Sequence, residues 1–367
     1  MSGRARALVE HAGAKINLTL HVLGRRPDGY HELESLVAFA RVGDRLTLVP
    51  GDRLGLLLRG PFADGIDQGP DSFDDNLVVK ATRELVRRVG ALRFGRFTLT
   101  KRLPVASGIG GGSADAAAAL RLVARANGLA PDDPRLLAAA GAVGADVPVC
   151  VDPRPRVMRG IGEILSAPLA LPAVAAVLVN PGVPVETRAV FAALARERAG
   201  AGGAATREAA PDLSPPPPAR GRVGVGVASG RIGVAASAEP PLDPLPNPPP
   251  FRGREQTEQA SRESATAASL TAASFAAESA TPISPAALLA LICEGRNDLE
   301  PVAITIAPAI AEVLDLLRAT PGCRLARMSG SGATCFALYD SRRAAGEAAQ
   351  TIRETRPAWW TQATVIG

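Results

Sequence analysis

Glycine occupies positions 108, 110, 111 and 112 of the segment Pro104-Val105-Ala106-Ser107-Gly108-Ile109-Gly110-Gly111-Gly112-Ser113. Glycines let backbone N–H groups converge on one point with no side chain in the way. The residues that follow, Ala114 to Ala126, are alanine-rich and predict a helix, with Ser113 as N-cap, Asp115 in the first turn and Gly128 as its stop. A helix N-terminus adds partial positive charge, so loop and helix together read as an anion cradle, most naturally for phosphate. No G-K-[ST] follows, which excludes a Walker A loop, and Ser113 stands where the last glycine of a dinucleotide G-x-G-x-x-G would be. The plainer reading is a turn that lets a helix pack close to a strand.

Other segments carry polar groups at spacings that suit chemistry. In Ala14 to Val22, Ile16, Leu18, Leu20 and Val22 alternate with Lys15, Asn17, Thr19 and His21, so a strand buries one face and aims a polar row off the other. Lysine occurs only at 15, 80 and 101 among 41 Lys and Arg residues, and a compact ammonium in an arginine background marks positions where a point charge is wanted. Asp28-Gly29 turns the chain and places Tyr30 and His31 at the tip, where an aromatic pair can stack on and hydrogen-bond a planar base. Asp146 lies in Gly144-Ala145-Asp146-Val147-Pro148-Val149, at an expected loop-to-strand junction; alone it reads as a turn residue. Arg327 to Thr334 is a second small-residue loop, able to come close to a ligand.

These groups need a scaffold, and composition bounds it. The 367 residues are 47% hydrophobic, 21% charged and 4% aromatic, which excludes a disordered or collagen-like chain and leaves Ala, Val and Leu to fill a core. The net charge of +5 and pI near 9.4 permit attraction to nucleic acid, anionic lipid or phosphorylated metabolites without choosing among them. The basic residues lack the aromatic interleaving of a nucleic-acid surface, so no nucleic-acid partner is expected. Cys150, Cys293, Cys323 and Cys335 show no C-x-x-C spacing, which speaks against a disulfide framework or zinc site. Met1 to Gly13 lacks the apolar run of a signal peptide, and Ala167 to Val179 is interrupted by Pro168 and Pro172, so a cytoplasmic protein without a membrane partner is expected.

Strands are expected at Leu46–Val49, Phe97–Thr100 and Thr334–Tyr339, and helices at Asn76–Val89, Pro285–Cys293 and Ile304–Arg318, followed by a further helix. This order predicts an α+β architecture. The expected organisation is an N-terminal lobe over 1–165 and a C-terminal lobe over 166–367, interrupted by a disordered insertion at 198–281 that is rich in Pro, Ala and Ser. Its runs Pro215–Pro218 and Pro248–Pro250 could alternatively dock a partner as polyproline II.

Taken together, the strand, both glycine-rich loops and Asp146 resemble the GHMP family of small-molecule kinases. The strings that carry the likeness are Ala14-Lys-Ile-Asn-Leu18, Gly24-Arg-Arg-Pro-Asp-Gly-Tyr-His31, Asp75-Asn-Leu77, Gly144-Ala-Asp-Val-Pro148 and Asn297-Asp-Leu-Glu-Pro301, beside the Pro104–Ser113 loop. The resemblance implies a two-lobed fold, its N-terminal ATP-binding lobe like the ribosomal protein S5 domain 2 and its C-terminal lobe ferredoxin-like. It implies an ATP- and Mg²⁺-dependent kinase acting on the 2-hydroxyl of a cytidine-diphosphate conjugate of methylerythritol, in non-mevalonate isoprenoid biosynthesis. Other family members act on homoserine, mevalonate or sugars, and a non-catalytic nucleotide-binding protein is the more distant reading. By the same resemblance Lys15 and Asp146 are catalytic. Pro104, Val105, Ala106, Ser107, Gly108, Ile109, Gly110, Gly111, Gly112, Ser113, Ala114, Lys101 and Asn76 bind ATP, with Ser113 near phosphate and magnesium. Asn17, Tyr30, His31 and Thr187 bind the substrate. Ala106 replaces a glycine usual in the loop, Ala114 stands where a small polar residue is common, and the insertion is foreign to the family pattern.

Overall fold

The computed structural model describes residues 6–66, 72–205 and 284–367. Strand β1 (Leu8–Asn17) runs antiparallel to the long β3 (His31–Val49), which also pairs with β2 (His21–Arg25), β5 (Arg96–Thr100) and β6 (Arg156–Gly160). Two short strands flank these, β4 (Gly55–Arg59) parallel to β5 and β7 (Ile164–Leu165) antiparallel to β6. The β1–β3 register slips between Gly13 and Lys15. Gly13 faces Gly43 across the pair, and a Cβ on Gly43 would lie 2.3 Å from the Ala12 carbonyl oxygen. The backbones approach too closely there for a side chain, and the bulge re-aims Lys15.

The sheet continues through β11 (Trp360–Ile366) to β8 (Val174–Asn180), β10 (Cys335–Tyr339) and β9 (Cys323–Met328). The last strand of the chain thus lies in the middle of the sheet, between β3 and β8. Sequence reading missed it, and missed most of β3, whose residues 34–40 are buried on both faces and show no alternation.

After the single turn α1 (Ser72–Asp75), helices α2 (Leu77–Val89), α3 (Gly111–Ala126) and α4 (Pro134–Val143) build one core against β1, β3 and β5. Ala116 to Ala119 in α3 are fully buried, so small side chains let this helix lie deep against its neighbours. A one-turn helix α5 (Val147–Val151) follows α4. A strand was expected after Asp146; Pro148 in the first turn instead suits a helix start, where its missing N–H costs nothing.

The C-terminal core gathers α6 (Thr187–Ala205), α8 (Glu300–Ile306), α9 (Ala309–Ala319) and α10 (Arg342–Thr355) around β8 to β10. Helix α7 (Pro285–Glu294) packs Leu288 and Ile292 into a third cluster with Ile16, Leu18, Leu178 and Phe336. The helix expected over Ile304–Arg318 is two, α8 and α9, broken at Ala307-Pro308 because proline supplies no N–H to continue the ladder. Residues 198–205 belong to α6, and the rest of the expected insertion, 206–281, lies outside the described residues. No helix among the described residues is long and apolar enough to cross a membrane.

Candidate active site

Helix α3 begins one turn earlier than Ser113 suggests: Gly110 is its N-cap, at φ +61°, and Ser113 sits in the first turn. The amides of Gly111, Gly112 and Ser113 therefore have no partner within the helix, and they open onto a cavity of about 870 Å³. Gly110 must be glycine for a second reason: a Cβ there would stand 3.1 Å from the Lys15 Cβ. Gly108, at φ +75°, lies against the second glycine loop, where a Cβ would meet the Gly332 carbonyl oxygen at 2.5 Å. The two loops are back to back. The Thr334 N–H donates to the Ser107 carbonyl (3.2 Å), and the Ser329 hydroxyl to the Gly108 carbonyl (3.3 Å).

The Lys15 amide donates to the Ile109 carbonyl at 2.9 Å, which ties β1 to the cradle. Its ammonium reaches Asp146 Oδ2 at 2.7 Å; the Lys15 side chain is 5% exposed and that of Asp146 42%. Asp146 occupies the N-cap position of α5, yet its carboxylate caps no helix N–H and is left for Lys15 and whatever enters the cavity. The strand ends at Asn17, and the polar row is buried: Asn17, Thr19 and His21 are all below the surface. Asn17 Nδ2 donates to the Ser35 hydroxyl (2.7 Å), which donates to the Thr19 carbonyl (2.5 Å). The Asn17 amide donates to the Ser329 hydroxyl (3.0 Å). Burial holds the His21 imidazole below its ordinary pKa, helped by Arg296.

Lys101 is buried, with its ammonium between two carboxylates, Asp44 Oδ2 at 2.5 Å and Asp115 Oδ2 at 2.7 Å. Asp115 was expected in the first turn of α3 facing the helix dipole; it lies past that turn and points at Lys101. Asp44 Oδ1 also accepts the Arg102 and Leu103 amides (2.5 and 2.9 Å). Asp115 Oδ1 has no partner; burial, opposed by Lys101 and reinforced by Asp44, pushes its pKa up to about 8. Burial works against the Lys101 charge, but the two carboxylates outweigh it and raise its pKa. Lys101 lines the cavity with its charge already engaged. Lys80, by contrast, pairs with Asp75 on the surface.

The structure brings Lys15, Asn17, Asn76, Lys101, Pro104, Val105, Ala106, Ser107, Gly108, Gly110, Gly111, Gly112, Ser113, Asp146 and Thr187 to the wall of this one cavity. Asn76 also caps α2, its Oδ1 accepting the Val78 N–H at 2.9 Å. Thr187 Oγ1 lies 2.8 Å from the Ser331 hydroxyl. Four expected residues are not on the wall. Ile109 and Ala114 are buried in the cores behind it, and Tyr30 and His31 are half-buried. His31 opens β3 and stacks on Phe191, with ring centroids 4.9 Å apart and 25° between planes, and Phe191 does line the cavity. Sequence reading missed Phe191, Ser35 and Asp115 as wall residues. A phenylalanine on the first turns of a helix carries no signal of its own until the fold sets it opposite His31.

The GHMP kinases N terminal domain family matches residues 76–152, and the GHMP kinases C terminal family residues 278–358. The 4-diphosphocytidyl-2-C-methyl-D-erythritol kinase of a Methylorubrum extorquens strain is 48% identical over 97% of this chain and 98% of its own. That of a Rhodopseudomonas palustris strain is 46% identical, over 98% of each chain. A crystal structure of a 4-(cytidine 5'-diphospho)-2C-methyl-D-erythritol kinase superposes with a TM-score of 0.63 at 29% identity, covering 98% of this chain and 99% of that one. A homoserine kinase from Cytophaga hutchinsonii, 17% identical over 100% and 96% of the two chains with a TM-score of 0.58, shares the fold. With its cradle, its mixed α+β sheet and this degree of identity over nearly its whole length, the chain belongs to the 4-diphosphocytidyl-2-C-methyl-D-erythritol kinase family of the GHMP kinases.

Proposed function

We propose that the chain transfers the γ-phosphoryl group of ATP to the 2-hydroxyl of 4-diphosphocytidyl-2-C-methyl-D-erythritol, a step of non-mevalonate isoprenoid biosynthesis, in the cytoplasm. The observation that carries this reading is the 2.7 Å Lys15–Asp146 pair at the wall of the cavity into which the α3 N-terminus opens. The cradle amides of residues 110–113 hold the triphosphate; the lobe of 1–165 supplies the nucleotide contacts and part of the substrate site, which the lobe of 166–367 completes. Asp146 orients the hydroxyl; as its oxygen bonds to the γ-phosphorus and the bond to ADP breaks, the proton passes to the carboxylate. The Lys15 ammonium, 2.7 Å from that carboxylate, lowers the proton affinity of the attacking oxygen. His31 and Phe191, with Tyr30 beside them, form an aromatic site for the cytosine ring, while Asn17 and Thr187 contact the rest of the substrate.

Among the described residues no group of three or more His, Cys, Asp and Glu side chains is placed to hold a metal. The oxygen donors on the wall, the Ser113 hydroxyl and the half-exposed Asp146 carboxylate, suit Mg²⁺, which takes few protein ligands and keeps phosphate oxygens and water. Bound there, Mg²⁺ neutralises phosphate charge. Purified protein with Mg²⁺ and ATP is expected to release one ADP per substrate consumed, and none with homoserine or mevalonate; absence of ADP with the cytidine-diphosphate substrate would refute the proposal.

A further inference from the structure

Lys15 and Asp146 sit on different elements, and something must set the spacing between them. Asp146 heads α5, a helix of one turn that is too short to hold itself and whose last carbonyls have no partner within it. Arg121, ten residues along α3 from the cradle, supplies what is missing. Its Nη1 donates to the Cys150 carbonyl (2.6 Å) and the Val151 carbonyl (3.4 Å) at the C-terminal end of α5. Its Nη2 donates to the His11 carbonyl of β1 (3.2 Å), and its Nε to Glu10 Oε2 on the same strand (3.0 Å). One planar guanidinium therefore joins the helix behind the cradle, the helix headed by Asp146 and the strand that carries Lys15.

We propose that Arg121 is a positioning residue, whose fork fixes the separation of Lys15 and Asp146 and their height above the cradle; the inference rests on the reading of that pair as the catalytic pair. A lysine cannot replace it, since a single ammonium does not bridge carbonyls on two elements at fixed angles. Arg125, on the next turn of α3, is the natural control. It shares Glu10 (Oε1, 2.6 Å) and donates to the Val9 carbonyl (2.9 Å), but has no hydrogen bond to α5.

The test compares D146N, R121Q, R121K and R125Q in the full chain, by steady-state kinetics and thermal melting. R121Q and R121K are expected to lose about 10- to 100-fold in kcat, the scale of a misplacement near 1 Å. Their KM for ATP should stay within about threefold, because the loop amides are untouched. R125Q should keep kcat within about twofold at a comparable loss of melting temperature. If D146N retains turnover, the reading of the pair fails and the inference with it. If D146N collapses while both Arg121 variants keep kcat, or R125Q falls as far as they do, the inference alone is overturned.

Discussion

At the scale of single residues, charge and conformation make separate demands on the site. Asp146 is the carboxylate that pairs with the Lys15 ammonium on the cavity wall, so on the proposed mechanism D146N removes the proton acceptor while leaving volume and cradle intact. Its kcat is expected to fall about 10²- to 10⁴-fold with ATP affinity nearly unchanged, measured by ADP release and nucleotide titration. Phe191→Ala opens the aromatic wall against His31. It should raise the KM for the cytidine-diphosphate substrate by about tenfold or more and barely move kcat, the scale of one lost base–aromatic stack. Ala106 is the one described non-glycine residue at positive φ, +51°, in the position where the family pattern has glycine. An exposed Cβ held there costs about 1 kcal/mol. A106G is therefore expected to raise the melting temperature by roughly 1–3 °C, less whatever the added freedom of the unfolded chain takes back.

At the scale of elements, the cradle rests on a buried clasp. Lys101 at the end of β5 reaches Asp44 on β3 and Asp115 on α3, so three elements meet at one ammonium beneath the α3 N-terminus. Gly111 would place a Cβ 3.5 Å from that ammonium, close beneath the amides that open onto the cavity. The Asp115 pKa of about 8 in the folded chain stands above the 3.8 of a free aspartate. The folded state thus binds this proton more tightly than the unfolded one, and stability contributed by Asp115 is full below about pH 4 and is lost as pH rises toward 8. Lys101, raised above 10.5, stays charged throughout that window. D115N mimics the protonated acid, so its melting temperature is expected to match the parent at or below about pH 4 and to exceed it at pH 8–9; a parallel decline in both would dismiss the clasp as the source. D44N instead removes the charge that Lys101 relies on, and should cost about 3–5 kcal/mol at any pH in that range.

At the scale of the whole molecule, some of the design is legible in the chain and some is not. The cradle could be read because glycines before an alanine-rich helix have few other uses, and α2 because its apolar stripe keeps helical period. The buried polar row of Asn17, Thr19 and His21 could not, since alternation looks the same whether the second face meets water or another lobe. Nor could the place of β11, which follows from long-range pairing and not from local pattern. Asn297-Asp298-Leu299-Glu300 belongs to this second kind: as text it marks the family, and in the fold it is a buckle. Asn297 Nδ2 donates to the Met328 and Gly330 carbonyls, both at 2.8 Å, and its Oδ1 accepts the Leu299 amide at 3.0 Å. Asp298 accepts the Val22 amide, and Leu20 pairs with the same segment. The second glycine loop, which backs the cradle, is thereby held to β2 and to Leu20, which follows the strand carrying Lys15 and Asn17. N297A leaves two buried carbonyls and an amide without their partner and should cost roughly 2–4 kcal/mol, a fall of about 5–10 °C in a chain of this size. N297D keeps the volume but sets an oxygen where a donor faced two carbonyls. Were packing the reason for Asn297, the aspartate would be the milder change; because donation is the reason, N297D is expected to melt at or below N297A, and paired thermal melts at pH 8 decide between them.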